Sequence, residues 1–292
     1  MTKQLKNASP YWVAALVVSL ALVPQLLLVG TPYTSNVAGA YLLDGLRLYR
    51  GDAPVETQHG PLFGLFVSLI FKMFGVSIVG AAILVKTFFV LSILAFFLLC
   101  SELFGKWPAF ISSLLVIISR PIYTQLSLHI YLDAQVLALE FCFLYAFVKT
   151  LKAPGRLGFA LSGLFLGLAI LTKENALFFL PYPFLAIWLT GQLREKKVIE
   201  GLTLLYGTFL VVMLPWLAFL QIQGSGTLAV LGWLTPTLKN LRDWGVSLEG
   251  KTLLENLWFY NPVTALWFLF RDRIFPTELL GRLYALSLLL VF

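Results

Sequence analysis

From Val76 to Cys100 the chain carries a single charged residue, Lys86, in a run of aliphatic and aromatic side chains. A segment of that length and polarity has few ways to fold, because roughly 20 apolar residues are what a helix needs to cross a bilayer. Further runs lie at 11–29, 108–119 (extendable to 127), 130–149, 157–172, 175–190 and 199–221, with another opening near 279. In hydrocarbon a backbone must satisfy its hydrogen bonds internally, which for such runs means helices. The sequence therefore predicts an all-α membrane protein, a polytopic helical bundle. Composition agrees, with 59% of residues hydrophobic and 12% charged, against roughly 45–50% and 25% in soluble domains.

No soluble domain, repeat or low-complexity linker is evident, so 1–292 reads as one transmembrane domain of about 7–9 hydrophobic segments. The stretch 257–270, broken by Asn261-Pro262 and stopped by Arg271, fits an interfacial segment or a short span. The run ending at Phe292 has no polar flank and reads as an unfinished helix of a longer protein. The run Tyr11–Val29 is too long for a signal-peptide core and lacks a small-residue cleavage site, so it reads as a retained first helix. Cys100 and Cys142 both lie in apolar segments, which argues against a disulfide framework.

The net charge of +7 does not point to nucleic acid, because Lys and Arg accumulate in cytoplasmic loops of polytopic proteins. A cytoplasmic N-terminus puts Lys3, Lys6, Lys106, Lys149, Lys152, Arg156, Arg194, Lys196 and Lys197 on the cytoplasmic side. The short connections on the opposite side hold Arg120 and Lys173. That exterior side receives 30–75, 120–129, 172–175 and 222–258. Within the first exterior loop, 37–50 places Ala40, Leu43, Leu46 and Arg47 or Arg50 at helical spacing, as an amphipathic interfacial helix would. The stretch 61–74 is apolar but short, and is also expected at the interface. Tyr33, Tyr41, Tyr49, Trp233, Trp244 and Trp258 fit an aromatic belt.

Against this apolar background the charges near the membrane stand out. Asp133 opens the span 130–149, and an ionisable residue beside hydrocarbon is a functional candidate by default. The plainer reading is a charge favoured at a helix N-terminus. Glu140 follows seven residues on, on the same helix face and roughly 10 Å deeper. Lys86 lies at similar depth in its own span, so Lys86 and Glu140 are expected to form a structural ion pair. Lys173-Glu174 sits in a tight turn, where Lys173 suits a lipid phosphate. Asp44, Asp52, Glu56 and His59 in the first loop have the chemistry of general bases or metal ligands. Their spacing matches no strong metal motif, so no cofactor is assigned and a divalent metal stays open. Gly163 and Gly167 form a GxxxG expected to serve close helix packing. There is no Walker A loop, nucleophile elbow or Cys–His zinc spacing, which argues against ATP-driven chemistry.

Taken in order, several motifs resemble one family of membrane enzymes. They are Gly45-Leu46-Arg47-Leu48-Tyr49-Arg50-Gly51-Asp52, His59-Gly60-Pro61-Leu62, Phe71-Lys72-Met73-Phe74-Gly75, Tyr131-Leu132-Asp133-Ala134 and the hairpin Gly167 to Asn175. Over roughly 10–220 the chain resembles the GT-C membrane glycosyltransferases, in particular the protein mannosyltransferases and aminoarabinose transferases (families 39 and 83). The resemblance implies a GT-C helical bundle with interfacial helices in the first exterior loop. It implies a polyprenyl-phosphate sugar donor, a lipid, glycan or protein acceptor, and reaction at the exterior face. Asp133 would be the acid of the second exterior loop. Asp44, Asp52 or Glu56 would supply the first-loop acid, and His59, Arg120, Lys173 and Glu174 would bind substrate. One departure is clear: Tyr33-Thr34-Ser35-Asn36 lacks the Asp or Asp-Glu often found there in the family. Two other classes compete with the transferase. A lipid-linked sugar transporter would use Lys86 and Glu140, and a non-catalytic subunit would keep the fold without the loop acid.

Overall fold

The computed structural model describes residues 10–27, 36–53, 59–119 and 129–220, with Leu126 and Ile222. Glu56, Arg120, Tyr33, Trp233, Trp244, Trp258 and the segments 257–270 and 279 onward lie outside the described residues. In chain order the helices are α1 (Pro10–Leu27), α2 (Asn36–Arg50), α3 (Leu62–Phe74), α4 (Ile78–Phe104) and α5 (Lys106–Ile118). They continue as α6 (Asp133–Lys152), α7 (Arg156–Thr172), α8 (Tyr182–Leu189) and α9 (Lys196–Leu220), with 3₁₀ turns at Glu174–Phe179 and Gln192–Arg194.

Three of these, α4, α6 and α9, are long and apolar enough to cross a membrane. Their outer surfaces are consistent with lipid as solvent. Leu91 on α4 and Leu210, Val211 and Leu214 on α9 are exposed large apolar side chains. Within the described residues the expected spans recur as helices within a few residues, with one correction. The run 175–190 is not a continuous span: a 3₁₀ turn ends at Phe179 and α8 restarts at Tyr182. Pro181 and Pro183 cause this, because proline lacks the N–H a helix interior needs. The Tyr206 hydroxyl on α9 donates to the Leu180 carbonyl at 2.7 Å, at the break.

Helix α6 is the axis of the bundle, with α4 packed on one side and α7 on the other. Two apolar clusters follow: one around Phe63, Phe89, Phe97 and Ile130, the other around Phe143, Phe147, Phe159 and Ile170. Helix α9 closes onto α7 through the glycines. A Cβ on Gly163 would run into the backbone carbonyl of Leu205, and one on Gly167 would sit 2.8 Å from Val212 Cγ1. The GxxxG thus serves helix packing. We expect Gly163→Leu to lose about 1–3 kcal/mol or more of stability through overpacking, read as a lower unfolding temperature in detergent, whereas Gly207→Ala, where a Cβ meets nothing, stays near wild type.

The ends of α6 are chemically distinct. Asp133 lies in its first turn and Lys149 and Lys152 in its last, each matching the helix dipole. Lys152 donates to Glu102 Oε1 at 2.8 Å, tying the far ends of α6 and α4. Twenty residues separate the two ends, or about 30 Å, the thickness of a bilayer's hydrocarbon core. Helices α2 and α3 pack on each other beside the Asp133 end. Helix α2 ends on Gly51 (φ 89°), with Gly51 N–H donating to Leu48 O and Asp52 N–H to Arg47 O. This is the glycine-terminated Schellman arrangement.

Candidate functional site

At the Asp133 end three separate parts of the chain meet. Helix α7 ends at Thr172, and Lys173 follows in extended conformation (φ −151°, ψ 129°) before the 3₁₀ turn begins at Glu174. The change of backbone sends adjacent charges to different partners. Lys173 Nζ donates to Asp133 Oδ1 on α6 at 2.7 Å. Glu174 Oε2 accepts from His59 Nδ1 at 2.8 Å. A carboxylate accepts, so Nδ1 is the donor in this contact.

Gly60 explains how His59 comes so near. A Cβ there would collide with the backbone of Leu171, so the segment before α3 lies directly on the end of α7. Tyr41 on α2 packs its ring 5.8 Å from that of His59 and 5.8 Å from Phe63. Between these elements is a small open hollow lined by Tyr41, Asp44, His59, Phe63 and Leu132 among others. Leu132 immediately precedes Asp133, and His59 contacts Glu174, the residue after Lys173, so the lining is one residue removed from each member of the ion pair.

Burial pushes the Lys173 ammonium down. The Asp133 carboxylate beside it, helped by Glu174 and Glu140, outweighs that and holds it above the ordinary lysine range. Such a group stays cationic throughout neutral pH. Its stabilising contribution is complete below the ordinary lysine value and is lost only as pH rises through the raised one.

Of the residues expected from the sequence, the structure brings together His59, Asp133, Lys173 and Glu174. Asp44 is buried on α2 and lines the hollow. Asp52 is exposed and its backbone closes the end of α2. Glu56 and Arg120 lie outside the described residues. Lys86 and Glu140 are both buried, at 4% and 9% exposure. The charges of Lys173 and Asp133 act on Glu140. Glu140 therefore belongs electrostatically to the mouth cluster, because the two sit on one face of α6. Among the described residues no group of three or more His, Cys, Asp or Glu is arranged to hold a metal.

Gln135 and Thr172 form a buried layer beneath the cluster that sequence reading missed, since neither is charged. Thr172 Oγ1 donates to Leu168 O at 2.9 Å and accepts from Gln135 Nε2 at 3.2 Å. Because the hydroxyl proton is spent on Leu168, the Gln135 amide orientation is set by the network. Its carbonyl oxygen is buried and has no hydrogen-bond partner among the described residues. Thr172→Val, which orphans the Gln135 amide as well, is expected to cost about 1–3 kcal/mol. Gln135→Leu removes both orphan atoms and should come much closer to wild type; thermal unfolding of the two variants makes the comparison.

The dolichyl-phosphate-mannose-protein mannosyltransferase family model matches residues 58–219, more than half of the chain. The chain belongs to that family. The matched region runs from just before His59 to the end of α9, so it contains His59, Asp133, Lys173 and Glu174. Among solved structures, that of ArnT from Cupriavidus metallidurans bound to undecaprenyl phosphate superposes with a TM-score of 0.60 at 20% identity. The superposition covers 74% of this chain and 42% of ArnT, so the chain spans less than half of that protein's length. No curated protein matches the chain. As a mannosyltransferase-family member with an ArnT-like arrangement of helices, the chain is an all-α membrane protein with the GT-C fold.

Proposed function

We propose that the chain is a membrane glycosyltransferase that moves a sugar from a polyprenyl-phosphate donor to an acceptor hydroxyl at the exterior membrane face. The observation that carries this reading is the Lys173–Asp133 pair, a cation and a carboxylate in contact at one end of an otherwise apolar bundle. The family's donor is named in its description as dolichyl phosphate mannose, and the ArnT structure holds undecaprenyl phosphate. Both are a phosphate on a long polyprenyl chain. Such a lipid keeps its tail in hydrocarbon and its phosphate at the boundary, so a site for it belongs at the helix mouths.

In this reading the acceptor oxygen attacks the anomeric carbon and forms the new glycosidic bond. The bond from that carbon to the phosphate oxygen breaks, and the oxygen leaves with the electron pair. Lys173 offsets the charge left on the phosphate, and Asp133 takes the acceptor's proton. His59 and Glu174 hold the hairpin that presents Lys173. The bias of Lys and Arg toward the connections at the opposite end of the helices supports an N-terminus inside and this cluster outside. Acceptors of the lipid, glycan and protein classes all carry suitable hydroxyls, and no nucleic acid is involved.

The test compares donors in membranes containing the full chain. Labelled sugar should reach an acceptor from a polyprenyl-phosphate donor and not from a nucleotide sugar. Transfer from the nucleotide sugar alone, or from neither donor with every acceptor class supplied, contradicts the reading.

A further inference from the structure

The ion pair that marks the site raises a chemical difficulty for the transfer step. A carboxylate whose oxygen already accepts a hydrogen bond from an ammonium at 2.7 Å is a poor proton acceptor. We propose that the Lys173–Asp133 pair is the resting form of the site, and that an incoming lipid phosphate takes Lys173 from Asp133 and so frees the carboxylate as base. This inference rests on the transferase reading and adds an order of events to it: donor binding activates the base.

Four features of the site support the exchange. Both partners remain open to a ligand, with side-chain exposures of 24% for Lys173 and 31% for Asp133. The pair is therefore a weak, partly solvated one that a stronger anion can outcompete. Glu174, the carboxylate adjacent in sequence, is committed to His59 and 7% exposed, so it anchors the hairpin while the Lys173 stem swings. Lysine's flexible stem and compact charge suit a change of partner better than a planar guanidinium would. Finally, Asp133 sits in the first turn of α6, where no side chain caps the helix and the dipole favours negative charge. A carboxylate released by Lys173 there has both oxygens open to an acceptor hydroxyl. The exchange breaks no covalent bond; the proton moves only later, from acceptor hydroxyl to Asp133.

A direct test uses wild-type protein in nanodiscs and a carbodiimide, which joins an amine and a carboxylate in contact as an amide while itself taking up the water. Mass spectrometry should detect a Lys173–Asp133 crosslink in the ligand-free protein. Saturating polyprenyl phosphate should suppress it, and uncharged polyprenol should not. Persistence of the crosslink in the presence of bound polyprenyl phosphate overturns the exchange. A second measurement uses affinity. Asp133→Asn releases Lys173 from competition, so it should bind polyprenyl phosphate about two- to fivefold more tightly than wild type, and Lys173→Met should bind it more weakly than either. Equal or weaker binding by a folded Asp133→Asn protein also overturns the exchange. The two readings fail differently: wild type that prefers polyprenyl phosphate no more than polyprenol contradicts the transferase reading along with the exchange. Wild type that binds it with the crosslink intact contradicts the exchange alone.

Discussion

Asp133→Asn is expected to lower sugar transfer by about 10²–10⁴-fold, the range a positioned general base contributes, while the protein still inserts and folds. The substitution keeps the size of the side chain and an oxygen that can accept from Lys173, so the geometry at 2.7 Å has a neutral replacement. What it removes is the proton acceptor. The expected signature is a loss in kcat with KM for the lipid donor unchanged or improved, since Lys173 is no longer held by an opposing charge. Steady-state transfer of labelled sugar with donor and acceptor varied separately makes the measurement. An Asp133→Asn enzyme with wild-type kcat removes Asp133 from the chemistry and throws the first-loop carboxylates Asp44, Asp52 and Glu56 forward in its place.

Lys173→Met carries the second large effect, and its signature is different. Methionine keeps the unbranched apolar stem but deletes the charge, leaving Asp133 without its Lys173 partner and removing a cation that acts on the buried Glu140. Removing one partner of a buried charge cluster commonly costs about 3–5 kcal/mol. The partial exposure of the Asp133 pair calls for discounting that figure toward the value of surface pairs, so the stability loss should sit well below it. Activity should fall through both KM and kcat, because the phosphate is bound in the ground state and gains charge in the transition state. The pH profile supplies an internal check. The ammonium is held above the ordinary lysine range, so wild type should keep its stability advantage over Lys173→Met through neutral and mildly alkaline pH. The advantage should shrink only as pH passes the raised value. An advantage that disappears near neutrality is incompatible with the Lys173–Asp133 geometry.

The helices were legible in the sequence because hydropathy reports them directly. The runs that read as spans reappear as α1, α4, α5, α6, α7 and α9, and the GxxxG pair lies where α9 crosses α7. The break at Pro181 and Pro183 was not, because a count of apolar residues treats proline as filler and ignores its missing donor. The nearness of Asp133, Lys173 and the first loop followed from topology, since alternate loops emerge on one face. Which charge meets which did not follow. Depth from the helix starts pointed Glu140 toward Lys86, whereas residues on one helix face share an environment more surely than residues matched by depth on two helices. Glu140 shares its face of α6 with Asp133, whose charge acts on it together with that of Lys173. His59 meeting Glu174 depended on Gly60 lying against Leu171, a close approach that no spacing rule announces. Gln135 and Thr172 escaped notice because uncharged polar residues in a span carry little signal until their partners are seen.

The account centres on one end of the bundle as the place where a lipid phosphate meets Lys173. The most direct measurement is the experimental structure of the full chain with polyprenyl phosphate bound in a lipid environment. The account predicts a phosphate oxygen about 2.7–2.9 Å from Lys173 Nζ, beside the hollow lined by Asp44 and His59. A phosphate seated elsewhere in the bundle, with Lys173 and Asp133 still paired, would contradict it.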